Sequence, residues 1–317
     1  MIAAILRALW IVTLVGAGLV AWLSVHLLGA SIGAWAAGLV GIALVFAIHP
    51  ALVAFNFIAS RAAGSAVPEA YRLSPRQAIG TYVAEVGASV RGFWFATPFL
   101  VHRPAASPNA AAANRPAHPI LFIHGYFCNR AVWLSFMRDA AARGHLCEAL
   151  TLPDSFGPIE SNAQVVDAAI DDLLAKAGGQ GIYTDRVAMV AHSMGGLVVR
   201  SALQRIDASR VAHVITLGTP HHGASTARYW DIPSVVQMRV DNPWLTALDV
   251  AETQGGGLPR AAYTTLFSYH DNIVFPQETG RLEGAHEIAI GGVGHVALLY
   301  DRRVREAVFS RLAAIEA

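Results

Sequence analysis

Charge is scarce in this chain. Only 14% of its 317 residues are Asp, Glu, Lys or Arg, and their balance is +1, so there is no broad basic footprint and a nucleic-acid partner is not indicated. Cysteine is scarcer still. Cys128 and Cys147 show no metal-ligand spacing, and both are expected to be free thiols, because pairing them would require a domain that faces an oxidising compartment. The adjacent His221 and His222 do not suggest a metal centre either: neighbouring histidines rarely face one ligand site, and no carboxylate or cysteine pattern completes them. They are expected in a loop. No internal repeat is present, which removes solenoids and propellers.

What fills the chain instead is apolar. Hydrophobic residues make up 54%, more than an ordinary soluble enzyme of this size carries, and the excess lies at the front. Neither Ala8 to Leu28 nor Ile32 to Ile48 contains Asp, Glu, Lys or Arg. The first run is long enough to span a bilayer; the second reaches that length only by continuing past His49 and Pro50 toward Ala59. Gly29 to Ser31 would be a tight turn between them. A secretory signal is disfavoured, because no polar break with a small-residue cleavage site follows the first run. Residues 1–60 are therefore expected to be a transmembrane helical hairpin rather than two core helices. Arg7 precedes the first apolar run and Arg61, Arg72 and Arg76 follow the second, which places both flanks on the cytoplasmic side of a bacterial inner membrane. A helix stopped by Pro50 would instead lie in the interface and turn the remaining chain to the periplasm.

Residues 61–116 read as a juxtamembrane segment and linker. Ser74 and Pro75 mark a helix start, and Ile79, Tyr82, Val83, Val86 and Val90 recur at helical spacing, as in an amphipathic helix. The aromatic stretch "GFWFATPFL" suits either the headgroup level or packing against the following domain. Next, "HRPAASPNAAAANRPAHP" is rich in Ala and Pro and low in large apolar residues, as flexible linkers are.

From residue 117 to 317, strand and helix patterns alternate. Strands are expected near 119–123, 146–151 and 186–191, helices near 130–143 and 161–177, and a terminal helix from about 296 to 313; such alternation makes a parallel sheet with crossover helices. One join carries chemistry. In "VAMVAHSMGGLVV" a buried strand turns abruptly into a helix, with Ala191, Gly195 and Gly196 small enough to let the backbones approach. Ser193 is pushed out at the sheet edge, at the amino end of a helix, where free N–H groups stabilise negative charge. A plain glycine-rich turn would look similar, so the serine needs partners. A serine hydroxyl is a poor nucleophile until a base takes its proton and a third group fixes that base. "LFSYHDNIVFP" is expected to end a strand at Asp271, and "IAIGGVGHVALLY" to end another at His295 before a helix. Asp154, Asp231, Asp241 and Asp249 compete for the acid, but Asp271 alone directly follows a clear late strand. Upstream, "HPILFIHGYFCN" runs a strand into His124 and Gly125, so the backbone N–H of Met194 with that of Tyr126 or Phe127 would face a developing oxyanion. His124 and His192 are expected to support loop and elbow rather than act as base.

Together "FIHGYFCN", "AHSMGG", "TLGTPHHG", "HDNIVFP" and "GVGHVAL" resemble bacterial α/β-hydrolases of the lipase and esterase type over roughly residues 117–315. The resemblance implies an α/β-hydrolase fold, a triad in the chain order Ser193, Asp271, His295, and no cofactor. Ala191 replaces the usual first glycine of the elbow, as in some lipases. Residues of about 223–260 match no family pattern and stand where the family puts a lid or cap. The implied activity is hydrolysis of carboxylic esters, with a lipid or other ester as the small-molecule partner. An acyltransferase would use the same triad, and a membrane-tethered interaction module would keep the fold without the chemistry; no protein partner is indicated.

Overall fold

The computed structural model describes residues 1–29, 31–104, 106–109 and 118–316. The linker expectation for His102 to Pro119 falls largely on residue 105 and residues 110–117, outside the described residues, as does Ala30 in the turn of the hairpin.

Two long apolar helices come first, α1 (Ile2–Leu28) and α2 (Ile32–Ala63), packed against each other and otherwise exposing Leu, Ile, Val and Phe side chains. Both are long and apolar enough to cross a membrane. Helix α2 does not stop at Pro50; its 32 residues give a length of about 48 Å, well beyond a hydrocarbon core of about 30 Å. The Pro50 carbonyl accepts from the Tyr82 hydroxyl at 3.0 Å.

Helix α3 (Pro75–Ser89) starts as its sequence dictates, with the Ser74 side chain accepting the Gln77 N–H and the Gln77 side chain accepting the Ser74 N–H. Its faces are not disposed as the apolar spacing implies. The buried positions are Thr81, Glu85, Ala88 and Ser89, whereas Ile79 and Val83 are 64% and 59% exposed. A wide turn (Val90–Ala96) and the short α4 (Thr97–Phe99) then carry the aromatic stretch, which packs against both the first helix and the following domain. Trp94, Phe95 and Phe99 gather around Trp10 of α1, and Phe93 packs against Phe127.

The rest is a six-stranded, all-parallel sheet in the order β2-β1-β3-β4-β5-β6, formed by β1 (Ile120–Ile123), β2 (Cys147–Leu150), β3 (Val187–His192), β4 (Val211–Leu217), β5 (Tyr263–Ser268) and β6 (His286–Ile290). β1, β3 and β5 are buried along their whole length, as strands covered on both faces must be. Alternate residues feed opposite cores. Leu121 and Ile123 join the layer that includes α6 (Ala163–Gly179) and α7 (Met194–Leu203). Ile120 and Phe122 join the layer of α5 (Leu134–Ala142) and α10 (Arg302–Glu316). Helix α10 begins later than expected, because Asp301 accepts the Arg303 N–H at 2.7 Å and starts the helix there, leaving only a single turn at Ala297–Leu299 before it.

The chain leaves β1 toward β2 and then returns to the other side of β1 with β3. Sheets of this kind open a crevice at the carboxyl ends of the two strands where the order reverses. Here those ends are the loops that carry Gly125 and Ser193.

Candidate active site

Ser193 sits at the tip of the turn from β3 into α7 with φ 55° and ψ −130°, a backbone conformation that residues with a Cβ rarely adopt. The neighbouring backbones hold it there. The Ser193 N–H donates to the Leu217 carbonyl at 2.9 Å, and the Ser193 carbonyl accepts from the Thr219 hydroxyl at 2.9 Å. Space dictates the glycines: a Cβ on Gly195 would stand 2.5 Å from the His124 carbonyl oxygen, and one on Gly125 would stand 2.8 Å from the Ser193 Cβ.

Two loops bring partners to the serine. His295 Nε2 lies 3.0 Å from Ser193 Oγ, and His295 Nδ1 lies 2.8 Å from Asp271 Oδ2. Neither partner ends a strand. β5 stops at Ser268 and β6 at Ile290, so Asp271 and His295 stand in the loops beyond. Those loops are fixed by hydrogen bonds instead. Asp271 Oδ1 accepts the N–H groups of Ile273 and Val274 at 2.8 and 2.7 Å, and Asn272 Oδ1 accepts the His295 N–H at 3.0 Å. Burial disfavours the charged His295 ring, but the Asp271 charge and hydrogen bond, with a smaller contribution from Glu85, outweigh it and raise the pKa above the ordinary histidine value.

The other two histidines nearby are neutral and structural. His124 Nε2 accepts the Leu152 N–H at 2.9 Å, so the proton is on Nδ1, which donates to the Gly125 carbonyl at 2.8 Å; burial brings its pKa down to about 4. His192 Nε2 donates to the His295 carbonyl at 3.0 Å, and burial holds its pKa well below the usual value. Among the described residues, the N–H groups of Met194, Tyr126 and Phe127 meet no protein acceptor. Phe127 is itself in the left-handed region, at φ 58°.

The rival carboxylates have other employment. Asp154 accepts from Gly157 N–H and the Ser161 hydroxyl, and Asp231 pairs with Arg239. Asp241 lies in the turn that precedes α9 (Pro243–Thr253). Asp249 belongs to a cluster in which the fully buried Arg200 binds Glu252 at 2.8 Å and Asp249 at 2.5 Å, with Arg260 joining both. His221 is buried beside it, with Nε2 3.0 Å from the Thr216 hydroxyl, and His222 faces Asp249 at 3.5 Å. The two histidines thus serve the packing of α7 against α9. Removing one member of such a cluster leaves an uncompensated buried charge, so Glu252→Ala is expected to lose about 3 kcal/mol of stability, read as a lower urea midpoint.

Residues 223–260 contribute α8 (Pro233–Gln237) and α9. Val235, Met238 and Leu245 are buried in the core layer of α6 and α7, while Tyr229 and Trp230 are largely exposed. Cys128 and Cys147 are free and buried, each thiol pushed up to about 12 by burial. Among the described residues, no group of three or more His, Cys, Asp or Glu could hold a metal ion.

A carboxyl-edge serine beside a switch point of a parallel sheet, followed by acid and histidine loops, defines an α/β-hydrolase fold. The known proteins agree. The lipase BlEst2 from Bacillus licheniformis, in its mature form, superposes with a TM-score of 0.54 at 20% identity, over 66% of this chain and 95% of that one, a likeness of fold. A family model described as a PGAP1-like alpha/beta domain matches residues 157–285, a span that takes in Ser193 and Asp271. The triacylglycerol lipase of Burkholderia plantarii is 29% identical over 137 residues, 39% of this chain and 36% of its own. The lysosomal thioesterase PPT2 of Bos taurus is 28% identical over 138 residues, 41% of this chain and 43% of its own. The chain thus spans less than half the length of either curated relative it matches. It has an α/β-hydrolase fold, part of which is similar in sequence to a lipase and a thioesterase, with two apolar helices ahead of it.

Glu85 is the site neighbour that sequence reasoning missed. Its carboxylate accepts the N–H groups of Val296 and Ala297, directly after His295. The available signal was weak: it is the one carboxylate in a helix otherwise free of acids.

Proposed function

We propose that the protein is a membrane-anchored serine hydrolase that cleaves lipophilic carboxylic esters. The observation that carries this is the unbroken hydrogen-bond chain from Ser193 Oγ through His295 to Asp271, at 3.0 and 2.8 Å. In the first half-reaction Ser193 Oγ attacks the acyl carbon while His295 Nε2 takes its proton. The oxyanion is held by the N–H of Met194 together with that of Tyr126 or Phe127. His295 then passes its proton to the departing alcohol, leaving an acyl-enzyme. Water, losing a proton to the same nitrogen, releases the acid in the second half-reaction. Asp271 orients the ring and stabilises its charged form throughout. Lipid-ester and thioester activity in the names of the two relatives supports an acyl substrate, so a thioester is the second candidate of the same chemistry.

Residues 223–260 act as a fixed cap. The Ala224 N–H donates to the Met238 carbonyl, the Ser234 hydroxyl donates to the Ser155 carbonyl, and the Arg200 cluster ties α9 down, so opening would expose buried charge. A p-nitrophenyl ester series from two to sixteen carbons, with thioester counterparts, tests both points (roughly the range that drug- to lipid-sized pockets admit). Hydrolysis is expected, with rates that saturate smoothly as substrate passes from monomers to aggregates. No hydrolysis of any acyl chain would sink the assignment, and a sharp rise at aggregation would show the cap to be a mobile lid.

The hairpin is assigned two crossings of a bacterial inner membrane. α2 runs through Pro50 toward Ala59 and so has the length to cross, and the arginine flanks keep the enzyme in the cytoplasm. Tethering raises the local concentration of esters dissolved in the bilayer. Fusions after Arg115 are expected to give a fluorescent green protein and inactive alkaline phosphatase; the reverse pair would move the enzyme to the periplasm.

A further inference from the structure

Glu85 is 1% exposed and pairs with no lysine or arginine among the described residues. Each of its oxygens nevertheless accepts a hydrogen bond. Oε1 accepts the Val296 N–H at 3.0 Å and Oε2 accepts the Ala297 N–H at 2.8 Å. On the other side of His295 the chain is shaped to let the carboxylate in, because a Cβ on Gly294 would stand 2.5 Å from Glu85 Oε2. The segment from Gly294 to Ala297 is thus moulded around this carboxylate, with His295 in the middle. Burial pushes the Glu85 pKa up, while the two N–H donors and the nearby His295 pull it down without cancelling the burial.

A buried carboxylate costs several kcal/mol unless its surroundings use the charge. The two amides use separate oxygens, so an ionised carboxylate satisfies both, whereas an amide in its place would turn its NH₂ toward one of them. The ionised form also adds a second negative charge near His295, beyond the one on Asp271. The helix that delivers it is anchored by the turns before and after Glu85. Tyr82 bonds the Pro50 carbonyl at 3.0 Å, and the Ser89 hydroxyl lies 2.8 Å from His49 Nε2, both in α2.

We propose that Glu85 is a positioning residue for His295: it fixes the backbone that carries the imidazole, so that the helix bolted to the apolar hairpin sets the base of the hydrolase. This rests on the role given to His295 above. The groups that face the His295 ring are Asp271 from the loop after β5, Ser193, and His192 from the end of β3 with ring centroids 4.7 Å apart; Glu85 from α3 binds the backbone just after it. His192 is neutral and does not compete as a charge.

The test is Glu85→Gln in the full-length chain, reconstituted in lipid nanodiscs. Turnover of a soluble short-chain ester is expected to fall about tenfold in kcat, a fraction of what general-base catalysis contributes, with KM little changed. Loss of the negative charge disfavours imidazolium, so the acid limb of kcat/KM is expected to move to lower pH by about half a unit. The imidazole midpoint is read separately by NMR on ¹³C-histidine protein, with the resonance assigned from His295→Gln, and is expected to fall by the same amount. If the wild type hydrolyses no ester while this midpoint still falls, the hydrolase assignment fails and the Glu85 link stands. A folded Glu85→Gln with unchanged kcat, acid limb and imidazole midpoint overturns the proposal. Should Glu85→Gln not fold, Gly294→Ala displaces the carboxylate with its charge intact; a lower kcat and midpoint support the link, and unchanged values overturn it.

Discussion

Ser193→Ala is expected to lower kcat for ester hydrolysis by about 10⁶-fold, to the level that binding and an oxyanion site alone can sustain. The change removes the atom that forms the acyl bond and very little else. Its side-chain hydrogen bond runs only to His295, whereas the backbone bonds to Leu217 and Thr219 that shape the turn are made by atoms alanine retains. The left-handed backbone at position 193 strains alanine about as much as serine. The thermal midpoint should therefore stay within a few degrees of wild type, measured by circular dichroism on the same preparation used for kinetics. Residual turnover within tenfold of wild type would remove Ser193 from the chemistry.

Asp271→Asn is expected to cost about 10⁴-fold in kcat through the wrong tautomer. The amide oxygen can still accept the N–H groups of Ile273 and Val274, so the loop is preserved. Its NH₂ then faces His295 Nδ1 as a donor, which places the imidazole proton on Nε2, the nitrogen that must accept from Ser193. The pH profile changes with it. In the wild type Asp271 raises the His295 pKa, so the base is lost to protonation at a higher pH than an ordinary histidine. Removing the charge moves that acid limb downward even as the plateau collapses. Asp249→Asn is the control: Asp249 holds Arg200 and Arg260, so its loss should lower stability and leave kcat within a few-fold. The opposite pattern would transfer the acid role to Asp249.

The sheet was legible because strands buried on both faces need unbroken apolar runs, as "ILFI" and "VAMVA" are. The elbow was legible because close backbone approach at Gly195 leaves room for no side chain. Chain order points to Asp271 and His295, but in sequence the loops that hold them read as strand ends, whereas β5 and β6 stop at Ser268 and Ile290. Nothing in the apolar pattern reports that Asn272 and the Asp271 carboxylate themselves fix those loops. Helix α3 defeated the pattern more completely. Apolar spacing marks a buried stripe only when the opposite side of a helix meets water. In α3 the buried positions include Thr81, Glu85 and Ser89, while Ile79 and Val83 are exposed, so the apolar residues do not mark the inward face. Glu85 lay hidden for that reason, and so did the late start of α10, which follows from Asp301 capping rather than from the apolar residues after His295.

The most direct measurement is intact-mass analysis of the full-length protein after exposure to a fluorophosphonate, which phosphonylates only a serine whose proton can be taken by a neighbouring base. One adduct per chain is expected, mapped by peptide sequencing to Ser193, absent in Ser193→Ala and formed far more slowly in Asp271→Asn. No adduct on the folded wild-type protein, or an adduct on another serine that survives Ser193→Ala, would contradict the assignment of this site as a serine hydrolase.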